Sequence, residues 1–304
     1  MTATVAVTGA TGFIGKHIVK SLLSRGFSVR ALTRTPYKSV SDNMTWVTGA
    51  LEDKNSLTEL VKGAEHVVHC AGQVRGKSEK AFIDCNVNGS LRLMQAALES
   101  GHCKRFLFIS SLAARYPELS WYANSKHIAE QKLTKVSSGI SLGIFRPTAV
   151  YGPGDKELKP LFTWLLRGVL PRLGPAEAQL SFLHVEDLAS AVSQWLLELT
   201  PQSHTYELCD GDAEGYSWTR LQQIGASVRQ GPVHVVKVPL PVLKILADIS
   251  VLFNGITKNE PMLTRSKIRE LTHPDWTASN KCLSDHINWF PGMKLERALR
   301  EGQF

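Results

Sequence analysis

Six short apolar runs, Thr4–Val7, Ser28–Leu32, Thr45–Val47, His66–Cys70, Arg105–Ile109 and Leu142–Phe145, alternate with stretches in which apolar residues recur every three or four positions. Ile14, Ile18 and Leu22 make one such stripe, and Leu91, Met94 and Leu98 make another. Alternating strand and helix signals leave few architectures open. Parallel strands need a crossover between them, and a helix carrying one apolar stripe can cover the sheet it has just left. The pattern predicts an α/β fold built on a doubly wound parallel sheet.

The texture changes after Arg146-Pro147. Pro153, Pro160, Pro171 and Pro175 break the chain into short pieces before Phe182–Val185 and the helical run Asp187–Leu199 restore the earlier pattern. From Gly211 onward the chain is irregular, with helical patches near Trp218–Gly225, Pro241–Phe253, Leu263–Leu271 and Leu295–Arg300. The expected division is therefore a sheet domain of residues 1–152 and 183–210, and a smaller, discontinuous C-terminal lobe of residues 153–182 and 211–304 that would hold a substrate.

With 43% hydrophobic and 20% charged residues in 304, the chain has enough apolar side chain for a buried core. Its formal charge of +8 raises the question of polyanionic partners. The basic residues are scattered, without a run of five or six, which argues against nucleic acid. The apolar segment Val233–Ile256 is interrupted by Lys237, Pro239, Pro241, Lys244 and Asp248, so no spanning membrane segment is expected. The first residues lack the basic start and long apolar run of a secretory signal, and a cytoplasmic location is expected. Cys70, Cys85, Cys103, Cys209 and Cys282 are odd in number and form no CxxC pair, which fits reduced thiols. The ten histidines show no metal-ligand spacing, and no metal is expected.

The first run leads into Thr8-Gly9-Ala10-Thr11-Gly12-Phe13-Ile14-Gly15 and then directly into an amphipathic helix. Glycines there let the backbone turn sharply and approach a pyrophosphate, whose charge is met by the helix N-terminus. At the end of the second strand an acidic residue would accept from a ribose hydroxyl, whereas this chain reads Arg30-Ala31-Leu32-Thr33-Arg34. Arg34 can present a planar fork to a 2′-phosphate, so NADP is the expected cofactor, with NAD the alternative if Arg34 is only solvated. Tyr122 and Lys126 lie four apart in a helical stretch, so phenol and ammonium can share a face, and the cation is expected to lower the phenol pKa below its ordinary value of about 10. Ser110-Ser111 closes the preceding strand, at the sheet edge where sites of such folds form.

With these motifs the chain resembles the extended short-chain dehydrogenase/reductase superfamily, in its NAD(P)-dependent epimerase/dehydratase branch, which includes nucleotide-sugar epimerases and 3β-hydroxysteroid-dehydrogenase-like enzymes. The resemblance also rests on His69-Cys70-Ala71-Gly72, Asp84-Cys85-Asn86-Val87-Asn88-Gly89-Ser90, Arg146-Pro147-Thr148-Ala149-Val150-Tyr151-Gly152-Pro153-Gly154, Phe182–Ala189 and the late Asn288-Trp289-Phe290-Pro291. It implies a Rossmann fold in which Tyr122 is the general acid/base, Lys126 tunes it and clamps the ribose, and Ser111 holds the reacting oxygen. It further implies a cofactor bed of Gly9, Thr11, Gly12, Phe13, Ile14, Gly15, Arg34, Leu51, Cys70, Ala71, Gly72, Pro147 and Val150, with Tyr122 and Lys126 at its reactive end. Asn86 is the expected substrate or active-site polar contact, and Arg265 an expected substrate contact. A homodimer is implied too, in which Asn88–Ser100 and Tyr122–Val136 pair with their copies, and Leu93, Ala97, Ile128 and Leu133 are candidates for the outward stripe.

The chain departs from the family at two places. Gly49 is followed by Ala50 in place of an adenine-binding Asp, leaving Asp53 or the backbone for that contact. Leu112-Ala113-Ala114 follows Ser111 where the dehydratases carry an Asp-Glu pair, so water elimination is not expected. His184 reads as a structural histidine, and Ser111 lies outside any GxSxG motif. The expected activity is hydride exchange between nicotinamide and a secondary alcohol or ketone, Tyr122 moving the proton. The proline-bounded apolar segment Leu240–Phe253 favours an apolar small-molecule substrate. The alternative is a nucleotide-sugar 4-epimerase with a tightly held cofactor, favoured by the Asn-Val-Asn-Gly run.

Overall fold

The computed structural model describes residues 3–36, 43–200, 202–244 and 265–304, with the Arg265 side chain outside that description. The strands Thr4–Thr8 (β1), Ser28–Thr33 (β2), Met44–Thr48 (β3), His66–His69 (β4), Arg105–Ile109 (β5) and Ser141–Pro147 (β6) occur where the apolar runs place them. A seventh strand, His204–Leu208, joins β6 at the edge, and the seven form one parallel sheet in the order His204–Leu208, β6, β5, β4, β1, β2, β3. The central strands are buried on both faces, which is why they read as near-continuous apolar runs; Val5, Ala6 and Val7 of β1 are all fully buried.

Helix α1 (Phe13–Ser24) returns from β1 and packs against α7 (Val185–Leu197) on one face. On the other face lie α2 (Lys54–Val61), α4 (Ser90–Ser100) and α5 (Trp121–Val136). The short α3 (Glu79–Phe82) continues into a π-helix, Ile83–Gly89, before α4 begins. Gly143 in β6 leaves room for the indole of Trp195 from α7: a Cβ there would lie 2.7 Å from Trp195 Cζ2. Trp195 is consequently buried whole beneath the sheet.

Much of the remaining described chain gathers around a second, smaller core, while Leu283, Ile287 and Trp289 return to the first. Strand β7 (Ala149–Tyr151) pairs in parallel with β10 (Phe182–His184), β8 (Val169–Arg172) pairs with β13 (His234–Lys237), and β9 (Gln179–Leu180) runs antiparallel to β12 (Tyr216–Ser217). Helices α6 (Lys159–Leu166), α8 (Trp218–Arg229) and α11 (Leu295–Arg300) enclose Tyr151, Phe162, Phe182, Tyr216 and Trp218. Two further helices are α9 (Arg265–Leu271) and α10 (Lys281–Ile287). Among the described residues no helix is long and apolar enough to cross a membrane.

The outward apolar stripe expected on α4 and α5 is not free. Leu93, Ala97 and Leu133 are fully buried in the core beneath the sheet, and Ile128 packs against it, because the same apolar period that makes these helices amphipathic turns those positions inward. Most of Pro241–Phe253 and residues 263–264 lie outside the described residues.

Candidate active site

The chain turns after β1 at Gly9, whose φ of +72° is left-handed, and Gly12 N donates to Gly9 O at 3.0 Å. A Cβ on Gly9 would lie 2.6 Å from Ala71 N, and one on Gly15 would lie 2.0 Å from Gly9 O. Only hydrogen fits at these positions, so the turn nests against Cys70-Ala71 at the end of β4. Gly12 caps α1 without a side chain, and the first turn carries no acidic residue. The backbone N–H groups at that end therefore remain for an anion. Thr11 is exposed there, and Phe13 and Ile14 are half-buried. The loop following β7 folds over the same end, with His17 Nε2 hydrogen-bonded to Pro153 O at 3.0 Å. This cradle fits the pyrophosphate of a dinucleotide.

At the end of β2, Thr33 Oγ1 donates to Thr35 O at 2.8 Å, and Arg34 stands exposed with no ion pair among the described residues. Asp53 is engaged elsewhere: it caps α2, accepting from Asn55 N at 3.0 Å. Leu51 is buried beside Gly89, Pro147 is the buried last residue of β6, and Val150 lies half-buried in β7.

The reactive end is assembled at the C-terminal edge of β5. Ser111 caps a 3₁₀ turn (Leu112–Arg115), accepting from Ala113 N at 3.2 Å, and its hydroxyl lies near enough to the Tyr122 phenol to favour the ionised form. Leu112, Ala113 and Ala114 are buried, so this turn presents no second acid or base. Ser120 caps α5 through Ala123 N at 2.9 Å, placing Tyr122 in the first turn. Lys126 and Glu130 follow one and two turns later on the same face. Lys126 Nζ donates to Ile109 O at 2.8 Å and sits 4.5 Å above the centre of the Phe108 ring. Glu130 accepts from Ser110 Oγ and from Arg146, whose Nε lies 3.0 Å away, so strand end and helix are locked together.

The phenol pKa runs opposite to the sequence expectation. Burial pushes Tyr122 above its ordinary value, the Glu270 carboxylate adds to this, and the Ser111 hydroxyl only partly offsets it. Lys126 does not relieve the phenol, because its ammonium points at Ile109 O and the Phe108 face. Burial instead lowers Lys126 itself to about 8.

Of the two roles expected for Asn86, the structure places it as a polar contact within the site rather than as a free donor to a substrate. It is fully buried in the π-helix: Oδ1 accepts from Gln73 N at 2.7 Å, and Nδ2 donates to Gln73 O and Ser125 Oγ. With its amide so engaged it shapes the Gly72-Gln73 loop and presents nothing to a substrate. Gly72 faces Lys126 and Asn86, its notional Cβ only 3.1 Å from Lys126 Nζ. His69 lies behind this loop, joined to Thr8 at 2.6 Å and Ser90 at 2.8 Å, with burial lowering its pKa to about 3. His184 caps α7 through Glu186 N, and the Arg265 side chain lies outside the described residues.

The sheet, the glycine turn and the Ser111-Tyr122-Lys126 grouping define a Rossmann-type nicotinamide-dependent enzyme. Residues 5–209 match the model of the NAD dependent epimerase/dehydratase family, and the chain belongs to that family. It is 34% identical over 289 residues to a ceramide reductase of Caulobacter vibrioides, covering 93% of this chain and 88% of that protein. A decarboxylating sterol-4-alpha-carboxylate 3-dehydrogenase of Dictyostelium discoideum is 29% identical over 301 residues, covering 86% and 88%. Among solved structures, the UDP-glucose 4-epimerase of Thermus thermophilus in complex with NAD superposes with a TM-score of 0.71 at 23% identity, covering 98% of this chain and 96% of that one. These relatives make the chain an oxidoreductase or epimerase of the NAD(P)-dependent kind.

Three contributors to the site were given no role there from the sequence: Glu130, Glu270 and Arg146, the last named only within a motif. Glu130 carried a signal, since it continues the four-residue spacing of Tyr122 and Lys126.

Proposed function

We propose that this enzyme reduces a ketone on an apolar, lipid-like molecule, drawing on NADPH, with Tyr122 as proton donor. The observation that carries the reading is the meeting of Ser111, Tyr122 and Lys126 at the end of β5, opposite the glycine turn. The apolar class is supported by the resemblance to a ceramide reductase along nearly the whole chain. Bound reduced nicotinamide supplies the hydride. Ser111 holds the carbonyl oxygen, Tyr122 gives that oxygen its proton, and Lys126 beside Gly72 holds the ribose. A phenol whose pKa is raised stays protonated at neutral pH, which suits a group that must donate in the reductive direction. The buried Leu112-Ala113-Ala114 turn offers no base for elimination.

The test is net oxidation of NADPH with 3-ketosphingoid and 3-ketosterol substrates. Stoichiometric NADPH loss with alcohol formation supports the reading. Interconversion of UDP-hexoses without net cofactor change would assign the chain to the epimerases instead.

Arg34 provides the first prediction. No carboxylate stands at the end of β2, and an exposed guanidinium can pair with a 2′-phosphate. Arg34→Ala should weaken NADPH by about tenfold, the scale of one charge-assisted contact, while leaving NADH within about twofold. Equal loss of both in a fluorescence titration would contradict the assignment.

Lys126 provides the second. Its ammonium loses its proton near pH 8 in the free enzyme, and NADPH brings negative charge to its surroundings. NADPH affinity should fall as pH rises through about 8, and Lys126→Met should be weaker and flat over the same range. Calorimetric titrations between pH 7 and 9 measure both curves.

A further inference from the structure

The second lobe grips the chain immediately ahead of the catalytic helix at three points. Arg269 Nε donates to Leu119 O at 2.8 Å, the His273 ring packs 4.2 Å from that of Tyr116, and the Ser120 hydroxyl donates to Glu270. Ser120 is the cap of α5, and Tyr122 follows two residues later. Glu270 is only 7% exposed. Its other carboxylate oxygen accepts from Lys267 Nζ at 2.8 Å, and its backbone oxygen accepts from Trp276 Nε1 at 3.1 Å. A carboxylate at this depth is tolerated only when hydrogen-bonded and paired, and its place beside a helix N-terminus adds a favourable interaction with the helix dipole.

We propose that Glu270 is a positioning residue for Tyr122: its buried carboxylate holds the Ser120 cap and so fixes the first turn of α5, on which Tyr122 stands. The carboxylate charge works in the same place against phenolate. Proton donation is thereby tied to docking of the second lobe. The inference rests on the reading of Tyr122 as proton donor for its catalytic consequence, though the structural and electrostatic link stands apart from it. The other groups around the phenol do not do this work. Lys126 is turned to Ile109 O, Lys267 faces Glu270, and Cys70, a half-buried thiol whose pKa burial raises to about 11, adds to the phenol's shift only where it is itself ionised, well above neutral pH. On the elements packed against α5, Asp84 pairs with Lys80, Arg115 with Glu207 and Arg146 with Glu130. Cys85 is raised by burial, Glu79 accepts from Asn124, and Glu118 lies exposed on the turn before Ser120.

The experiment follows Tyr122 directly in the full chain labelled with ¹³C-tyrosine, its resonance assigned by its loss in Tyr122→Phe. Glu270→Gln should bring the onset of ionisation down by about one pH unit, the lower end of what one nearby charge does. Glu270→Asp, which keeps the charge, should not. Ser120→Ala should leave the ionisation unmoved while lowering turnover, and circular dichroism checks that each variant is folded. An unchanged Tyr122 titration in folded Glu270→Gln overturns the proposal. The falling alkaline limb of turnover measured at saturating NADPH, where loss of cofactor affinity at Lys126 no longer shows, should shift by the same amount. If the resonance moves and the limb does not, the link from Glu270 to Tyr122 holds and the assignment of Tyr122 as proton donor fails.

Discussion

Tyr122→Phe should reduce turnover by about 10²–10⁴-fold, the span that general acid catalysis covers, while the protein folds and binds NADPH as before. The ring still fills its place in the first turn of α5, and only the hydroxyl facing Ser111 is lost. Ser111→Ala should cost less, because one hydrogen bond to the reacting oxygen disappears while the donor remains. The direction of the phenol pKa adds a second expectation. With the pKa held above its ordinary value, reductive turnover of the wild type should show no loss attributable to Tyr122 across neutral pH. A mutant turning over at the wild-type rate would place the chemistry elsewhere.

The other large effect is structural. Gly15→Val should abolish cofactor binding and destabilise the fold, since even the first added carbon would lie 2.0 Å from Gly9 O, 2.7 Å from Gly9 C and 2.9 Å from Ala10 Cα. All three are backbone atoms, so no side chain can swing aside. Opening the turn by enough to admit the carbon should cost about 3 kcal/mol, at the upper end for overpacked cores, and about 100-fold in NADPH affinity. Urea denaturation and a fluorescence titration measure the two. Gly12→Ala is the control: its added carbon meets only Gly9 O at 3.2 Å, so a much smaller loss is expected.

The sheet was readable because each of its buried strands announces itself. Strands enclosed on both faces must be apolar throughout, and the helices between them must carry one stripe. His204–Leu208 escaped because it lies at the sheet edge: in His-Thr-Tyr-Glu-Leu only Tyr206 and Leu208 are buried, a pattern too short to separate from a loop. The π-helix escaped for another reason. One extra residue per turn leaves no mark in composition, and Asn86 looked like a ligand contact until the backbone turned it inward. The proximity of Ser111, Tyr122 and Lys126 was legible by spacing, whereas the sign of the phenol pKa was not. Spacing shows that Lys126 shares a face with Tyr122, yet the direction of its ammonium is decided by Ile109 O and Phe108, residues of a strand far off in sequence. Glu270 was hidden by the same distance, since it is separated from Ser120 by 150 residues of chain.

The chain of bonds from Thr8 through His69 and Ser90 to the backbone of Asn86 bears on how this site can change over generations. Thr8 also receives Ala71 N, so the glycine turn and the Gly72 loop share one set of donors and acceptors. Thr8, His69, Ser90 and Asn86 are each wholly buried. Losing Ser90 leaves His69 Nε2 without its partner, at about 1–3 kcal/mol, whereas exchanging both ends of a bond for apolar groups of similar shape is nearly neutral. His69 and Ser90 are thus expected to drift as a pair. In a library randomised at both positions, clones that keep His69 but lose Ser90 should be scarce, while clones that keep both residues or replace both should survive.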